Sequence, residues 1–511
     1  MFSRFLEKIT TLQNIRRIYS LFFFSLFLFL LAITDFRNIK GFEVSLFLEL
    51  NPLVAISSFF TSWTLYKGLA LSLLVLLPTL FLGRFFCSWV CPLGILNQWL
   101  SILANKRKAS ENLLLNSYRK IFRWKYYALA VMLVLAISGT LQTGLLDPIS
   151  LVSRSFIVSV LPALQKSGAY LYLKQPVFSG GTLVAALFIL ILLANGFMPR
   201  FWCRALCPLG ALLGLLSMNS IFRIRRDVEK CTDCHKCLRS CQGGCDPHAE
   251  LRATECHVCM NCIAACPENA LRFGIPGEKS SMHRPLDINR RRFVESGVAA
   301  LFLFPMMKAS VTGETLATAS VIRPPGALDE VDFLRRCIKC GECMRVCPTN
   351  VIQPALLESG FEGLWTPVLI NKIGYCEHHC NLCGSVCPTG AIRKISMEEK
   401  LGKAPYKTPI KIGTAFYDRG RCLPWAMNTE CIVCEEVCPT PPKAIWFETV
   451  EVKDRNGKTK KLKQPYMDIE KCIGCGVCEN KCPVVDLPAV RVSSVGESRS
   501  KKNRMVLKGT G

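Results

Sequence analysis

Twenty-four of the chain's 29 cysteines fall into six quartets whose spacing suits cubane iron–sulfur chemistry. Three thiolates from one tight loop take three corners of a [4Fe–4S] cube, and the last cysteine of the motif normally serves the partner cluster. The first two quartets are Cys231, Cys234, Cys237, Cys241 and Cys256, Cys259, Cys262, Cys266. That rule assigns Cys231, Cys234, Cys237 and Cys266 to one cluster, and Cys256, Cys259, Cys262 and Cys241 to the other. Gln242 stands where proline is usual and an extra Cys245 follows, so either Cys241 or Cys245 can be the fourth ligand; regular spacing favours Cys241.

Four further quartets lie toward the C-terminus: Cys337, Cys340, Cys343, Cys347; Cys376, Cys380, Cys383, Cys387; Cys422, Cys431, Cys434, Cys438; and Cys472, Cys475, Cys478, Cys482. The middle two have one stretched gap each, which a ligand arriving from a loop tolerates. Proline follows the last cysteine of each, ending the loop because it fixes φ and has no N–H to donate. Short β-prone runs at 270–273, 391–393, 444–447 and 489–492 predict the small strands that flank ferredoxin loops. Six [4Fe–4S] clusters are therefore expected. Zinc would need only isolated tetrahedral sets. Cys231-Thr-Asp-Cys234-His235 formally matches a haem c attachment site but runs straight on into ferredoxin spacing. Disulfides would not repeat so regularly.

Four cysteines occur as two matched pairs, Cys87-Ser-Trp-Val-Cys91-Pro and Cys203-Arg-Ala-Leu-Cys207-Pro, each followed by Leu-Gly. The repetition reads as a duplicated helix pair. On a helix, positions i and i+4 share a face, so each pair can present two thiols side by side. If the repeats share an axis, Cys87, Cys91, Cys203 and Cys207 can converge as a further metal or redox-dithiol site; the alternative is a pair of structural corners with buried cysteines.

The elements that must position these groups differ along the chain. Residues 1–220 hold four cysteines and long apolar runs; 221–495 hold the other 25 and far more charge. Apolar stretches near 17–35, 68–86, 125–144 and 181–198 are each long enough to span a bilayer core of about 30 Å. Lys and Arg number four in 1–17, six in 88–123 and six in 199–230, against three each in 36–67 and 145–179. The positive-inside rule then puts the N-terminus and the first two quartets in the cytoplasm. None of the six histidines lies in a span, so haem b between helices is not expected. The net charge of +25 flanks apolar runs and accompanies no nucleic-acid motif, so lipid headgroups, not nucleic acid, are the expected partner. Glu43, Glu49 and Asp147 read as solvated loop carboxylates rather than quinol proton acceptors.

Between the two cysteine-rich regions, Asn289-Arg290-Arg291-Arg292-Phe293-Val294-Glu295 and the apolar 297–307 have the form of a twin-arginine export signal, with a small-x-small site at Ala317-Thr318-Ala319. A basic linker with a short buried helix is the alternative. The expected fold class is an α-helical membrane domain of four spans, built from two repeated helix pairs with CxxxCP, plus α+β ferredoxin-like cluster domains. Its parts are a membrane domain (1–220), a two-cluster domain (221–280), the export-like segment and linker (281–330), a four-cluster domain (331–495) and a basic tail (496–511).

On these motifs the first 275 residues resemble NapH-type membrane ferredoxin proteins, and 285–495 resemble NapG-type four-cluster ferredoxins with their twin-arginine leader. The membrane part is also similar to NosR and CcoG relatives. The resemblance implies quinol oxidation, delivery of electrons to a periplasmic reductase or cytochrome, and a multi-pass protein of the bacterial inner membrane with its four-cluster domain periplasmic. By analogy it pairs Cys337, Cys340, Cys343 with Cys482; Cys472, Cys475, Cys478 with Cys347; Cys376, Cys380, Cys383 with Cys438; and Cys422, Cys431, Cys434 with Cys387. The expected role is an electron-transfer subunit of a quinol dehydrogenase-type complex, fed by quinol or a cytoplasmic donor, with no substrate-reducing site of its own. A CcoG-like maturation factor supplying electrons, thiol reduction or metal reduction to a client metalloenzyme is the alternative.

Overall fold

The computed structural model describes residues 11–37, 45–64, 66–103, 109–167, 177–275, 286–309, 321–453 and 459–503. The chain divides into two compact units: Met1–Ile33, Phe42–Val160 and Thr182–Pro305 form the first, and Thr34–Gly41, Leu161–Gly181 and Met306–Gly511 the second. Glu43 and the small-x-small site at 317–319 lie outside the described residues.

In the first unit, the Leu12–Ile33 helix is the one helix among the described residues long and apolar enough to cross a membrane. Its inward stripe, Arg16, Ser20, Phe24, Phe27 and Leu31, follows the helical period. The other three expected spans are realised as shorter helices, Leu73–Leu82 continuing a 3₁₀ turn from Lys67, Trp124–Ile137 and Gly181–Leu193.

The duplication is visible in matched corners. Asn51 caps the Pro52–Ser62 helix and Asp147 caps the Pro148–Ser155 helix, each with proline in the first turn, where its missing N–H costs nothing. The two caps meet: Asn51 Nδ2 donates to Asp147 Oδ1 at 2.6 Å, and Asp147 also accepts from Ser150 N at 2.8 Å. Glu49 is likewise buried and accepts from Ser45 Oγ at 2.6 Å. Glu49 and Asp147 are thus not the solvated loop carboxylates the sequence suggested. A carboxylate that caps or ties a buried corner has exchanged water for fixed donors.

Two short strands bracket the first pair of quartets. β1 (Arg223–Arg226) pairs antiparallel with β2 (Leu271–Gly274), and Ile224, Leu251, Val258, Met260 and Leu271 fill the space between them and the cysteines. This domain packs on the helices of its own unit, Trp89 Nε1 donating to Val258 O at 3.0 Å and Asn116 Nδ2 to Arg239 O at 2.6 Å.

The second unit repeats the bracketing scheme twice. Ala327 bridges to Ile392 around the quartets at 337–347 and 376–387, with β3 (Ile352–Pro354) pairing β4 (Pro367–Leu369) between them. β5 (Thr414–Tyr417) pairs β8 (Val490–Ser493) around the last two quartets, with the hairpin of β6 (Ile445–Lys453) and β7 (Thr459–Met467) between them. Three of the expected strands appear as β2, β6 and β8; the run at 391–393 is reduced to the one bridge at Ile392. The export-like motif opens a helix, Arg290–Ala309, whose first turn is capped by Asn289 Oδ1 accepting from Arg291 N and Arg292 N.

Candidate metal centres

Each strand bracket closes a local loop, so a quartet finds its partner inside its own bracket. Cys387 is the nearby thiol that acts on Cys337, Cys340 and Cys343, and Cys347 acts on Cys376, Cys380 and Cys383. In the last bracket Cys482 acts on Cys422, and Cys438 on Cys472, Cys475 and Cys478. The pairing by analogy, first quartet with fourth and second with third, is therefore corrected to first with second and third with fourth. The physical reason is topological: β5 pairs β8 and Ala327 pairs Ile392, so two separate two-cluster folds stand in tandem.

The donor sets fit cubanes. One pocket is lined by Cys231, Cys234, Cys237 and Cys266, the set expected for the first cluster. Another is lined by Cys472, Cys475, Cys478 and Cys438. Burial pushes the Cys262, Cys340, Cys343 and Cys478 thiols well up, so a bound cation is what would hold them as thiolates. Among the described residues no three His, Cys, Asp or Glu side chains draw together tightly enough for a single metal ion. Several donors aim at sulfur: Ala415 N lies 3.4 Å from Cys472 Sγ, Ile392 N 3.5 Å from Cys387 Sγ, Lys400 Nζ 3.6 Å from Cys376 Sγ and Tyr417 Oη 3.1 Å from Cys434 Sγ.

The ambiguous ligand resolves into a contact. Cys241 is among the thiols acting on Cys256, Cys259 and Cys262, while Cys245 hydrogen-bonds to Cys241 and to Cys256. Cys241 therefore adjoins all three members of the triplet, whereas Cys245 bridges Cys241 and Cys256. The hydrogen bond from Cys245 is foremost in holding the Cys241 thiol below its usual range.

The two CxxxCP pairs do not sit on continuous helices. A single helical turn, Phe86–Trp89 or Phe201–Ala205, breaks before the second cysteine, and a new helix starts at Pro92 or Pro208. Cys207 Sγ caps its helix by accepting from Gly210 N at 3.2 Å, and Cys91 takes the same bond from Gly94. The Leu-Gly of each motif is thereby explained, because a Cβ on Gly94 would come within 2.1 Å of Cys87 O. The structure nevertheless brings all four together: Cys87 and Cys203 act on Cys91, and Cys87, Cys91 and Cys203 on Cys207.

Sequence reasoning missed the buried cations around them. Arg16, Arg84, Arg200, Arg204 and Lys125 are essentially inaccessible to solvent. Glu255 pairs with Lys125 and lies 3.9 Å from Arg84. Arg200 Nη2 and Arg16 Nη1 converge on Gln98 Oε1. A signal was present: arginine precedes the first cysteine by three residues in both copies, as Arg84 and Arg200.

Comparison with known proteins matches segments 64–110 and 181–228 to a family described as a 4Fe-4S binding domain, 336–391 to a 4Fe-4S dicluster domain, and 465–485 to another 4Fe-4S binding domain. The dicluster match covers the first tandem bracket, in agreement with the corrected pairing. The methylamine utilization ferredoxin-type protein MauM of Methylorubrum extorquens is 34% identical over 218 residues, which is 41% of this chain and 91% of that protein. The chain belongs to the NapG/MauM-type ferredoxin family. The ferredoxin-type protein NapG of Escherichia coli is 34% identical over 173 residues, 34% of this NapG/MauM-type chain and 69% of NapG. The putative electron transport protein YccM of the same organism is 31% identical over 222 residues, 43% of this chain and 57% of YccM. No solved structure matches. As a NapG/MauM-type ferredoxin the chain carries several [4Fe–4S] domains, and its relatives are ferredoxin-type electron transport proteins.

Proposed function

We propose that this chain is a membrane-bound polyferredoxin of the bacterial cytoplasmic membrane that carries electrons from quinol or a cytoplasmic donor to an extracytoplasmic reductase or cytochrome. One observation carries the two-sided reading: stretches of the two loops expected on the outer face, and none of the segments expected on the cytoplasmic face, join the unit that holds the four-cluster domain. The basic 88–123 segment shares a unit with the two-cluster domain, Arg204 Nη1 donating to Leu115 O at 3.1 Å and Asn116 Nδ2 to Arg239 O. The opposite loops give Thr34–Gly41 and Leu161–Gly181 to the other unit. There Arg345 lies 3.7 Å from Asp35, and Val177 O accepts from Asn350 Nδ2 at 2.7 Å and Gln353 Nε2 at 3.0 Å.

A membrane setting is supported by the apolar side chains left exposed on the helices. Phe22, Leu74, Leu77, Leu190, Leu193 and Phe197 are all more than half exposed. Large apolar side chains exposed in such number favour a lipid surrounding over water. The Arg290–Ala309 helix, with three arginines in its first turn and an apolar remainder, fits the export signal or tether of the second unit.

Bound at the quartets, iron–sulfur clusters supply one-electron carriers; the polypeptide's part is to hold them close and tune their potentials. In the second unit the ligand sets adjoin in a fixed order. Cys337, Cys340, Cys343 and Cys387 neighbour Cys376, Cys380, Cys383 and Cys347 in their bracket, and Cys376 N donates to Cys475 O at 2.8 Å, joining the first bracket to the second, which holds the third and fourth quartets. The end nearest the 34–37 and 177–180 segments is then the entry, and the set of Cys422, Cys431, Cys434 and Cys482 the exit. A maturation factor working by dithiol exchange fits less well, because Cys87, Cys91, Cys203 and Cys207 are buried from any client.

The test is side-specific labelling in sealed membrane vesicles of known orientation, using single reporter sites within 231–266 and 335–490. The reading expects the two sets to label from opposite sides. Labelling of both from the cytoplasmic side ends it.

A further inference from the structure

The four CxxxCP thiols occupy an interior that is charged in a way neutral thiols do not explain. Arg84 and Arg200 adjoin them, fully buried, and Arg84 Nε and Nη2 have no hydrogen-bond partner among the described residues. Arg84 Nη2 lies 2.8 Å from the point where a Cβ on Gly210 would sit, and Cys207 Sγ lies 3.4 Å from that same point. Arg200 Nη1 contacts Cys87 O at 3.5 Å, and Asn97 Nδ2 points at Cys203 Sγ at 3.6 Å. Arg84 Nη1 donates to Thr254 O at 2.6 Å and lies 3.9 Å from Glu255, which is paired more closely with Lys125. A buried guanidinium with free N–H groups is costly unless an anion faces it. Two sulfurs already sit as acceptors at helix N-termini, a position that favours negative charge.

We propose that Cys87, Cys91, Cys203 and Cys207 together hold one further iron–sulfur cluster, split between the two repeats, with Arg84 and Arg200 as its counter-charges. A four-thiolate cluster is a permanent anion; a pair of dithiols or disulfides is not. Single-ion coordination is disfavoured because the thiols, like those of the six quartets, are not gathered as a one-ion site. The two segments matched to a 4Fe-4S binding family, 64–110 and 181–228, contain these four cysteines and no others. The same arginines also adjoin the Cys241, Cys256, Cys259 and Cys262 set, Arg84 acting on Cys256 and Arg200 on Cys259. The new site thus neighbours the inner cluster of the two-cluster domain. It is separate from the six quartets and stands or falls independently of the direction of electron flow.

The experiment compares the full-length protein, purified anaerobically in detergent, with the Cys91→Ser/Cys207→Ser double variant. Serine is a preferred helix cap, so both corners keep their acceptor while two thiolates are lost. Iron, acid-labile sulfide and zinc are measured per chain, with Mössbauer spectra of ⁵⁷Fe-grown material. The expected result is a loss of about four iron and four sulfide per chain for a cubane, or about two of each for a binuclear cluster, with the remaining signals intact. Unchanged iron in the variant, or about one zinc per chain that vanishes with it, overturns the proposal. Should the double variant misfold, Cys87→Ser alone is compared in the same way. Loss of the six-quartet signals in the parent would instead count against the function proposed above, so the two failures are distinguishable.

Discussion

The sulfur atoms of Cys241 and Cys245 lie 3.4 Å apart; both reach Cys256, and Cys241 also acts on Cys259 and Cys262. Cys241→Ser should therefore cost one cluster, about four iron atoms per chain. Cys245→Ala should keep the iron but remove a hydrogen bond to a ligand sulfur, lowering that cluster's reduction potential. Iron analysis with redox-titrated electron paramagnetic resonance checks both. Full iron in Cys241→Ser together with loss in Cys245→Ala would reverse the assignment.

The corrected pairing makes a counting prediction. Cys337 and Cys387 belong to one ligand set, so the double variant Cys337→Ser/Cys387→Ser should lose about four iron atoms, no more than either single variant. Cys337 and Cys482 belong to different sets, so their double variant should lose about eight. Pairing of the first quartet with the fourth would interchange the two results.

How much of this was legible in the sequence follows from the range of the interactions. Quartet spacing is local, so the grouping of Cys231, Cys234 and Cys237 with Cys266, which line one pocket, could be read directly. The pairing across four quartets depends on which strands meet, and nothing within 337–482 announces that β5 closes on β8 rather than on an earlier strand. Asp147 looked like a loop carboxylate because its partner, Asn51, is 96 residues away in sequence and supplies the donor only once the repeats pack. The duplicated CxxxCP was plain, yet its helix break was not, since Cys-Pro can equally continue a first turn. The arginines three residues ahead were visible but unread, because burial of a charge cannot be inferred without its surroundings.

Tyr417 approaches Cys434 Sγ at 3.1 Å from the strand that closes the last bracket. A hydroxyl donating to a ligand thiolate stabilises the more negative reduced state, so Tyr417→Phe should lower the potential of the cluster held by Cys422, Cys431, Cys434 and Cys482. A hydrogen bond worth about 0.5–1.5 kcal/mol corresponds to about 20–65 mV for a one-electron couple. Potentiometric titration reads the shift directly. An unchanged potential would mean that the hydroxyl turns away from sulfur in the loaded protein.

The second unit is fastened at its start by a carboxylate between two arginines. Glu330 lies 2.6 Å from Arg323 and 2.8 Å from Arg499, while Arg323 also donates to Thr366 Oγ1 at 2.8 Å and Pro367 O at 2.9 Å. Burial works to raise the Glu330 carboxyl, but the two guanidinium groups overcome it and hold it at about 2. A carboxyl depressed on folding stabilises the native state fully above its unfolded value, about 4.3, and loses that contribution as the pH falls toward about 2. Glu330→Gln should therefore destabilise the second unit at neutral pH by about 3 kcal/mol at most, read as a lower thermal midpoint. The gap between parent and variant should stay constant from pH 8 to about 4.5 and narrow only below that. Narrowing already between pH 7 and 5 would show that Glu330 titrates as an ordinary carboxylate and that the clamp contributes little.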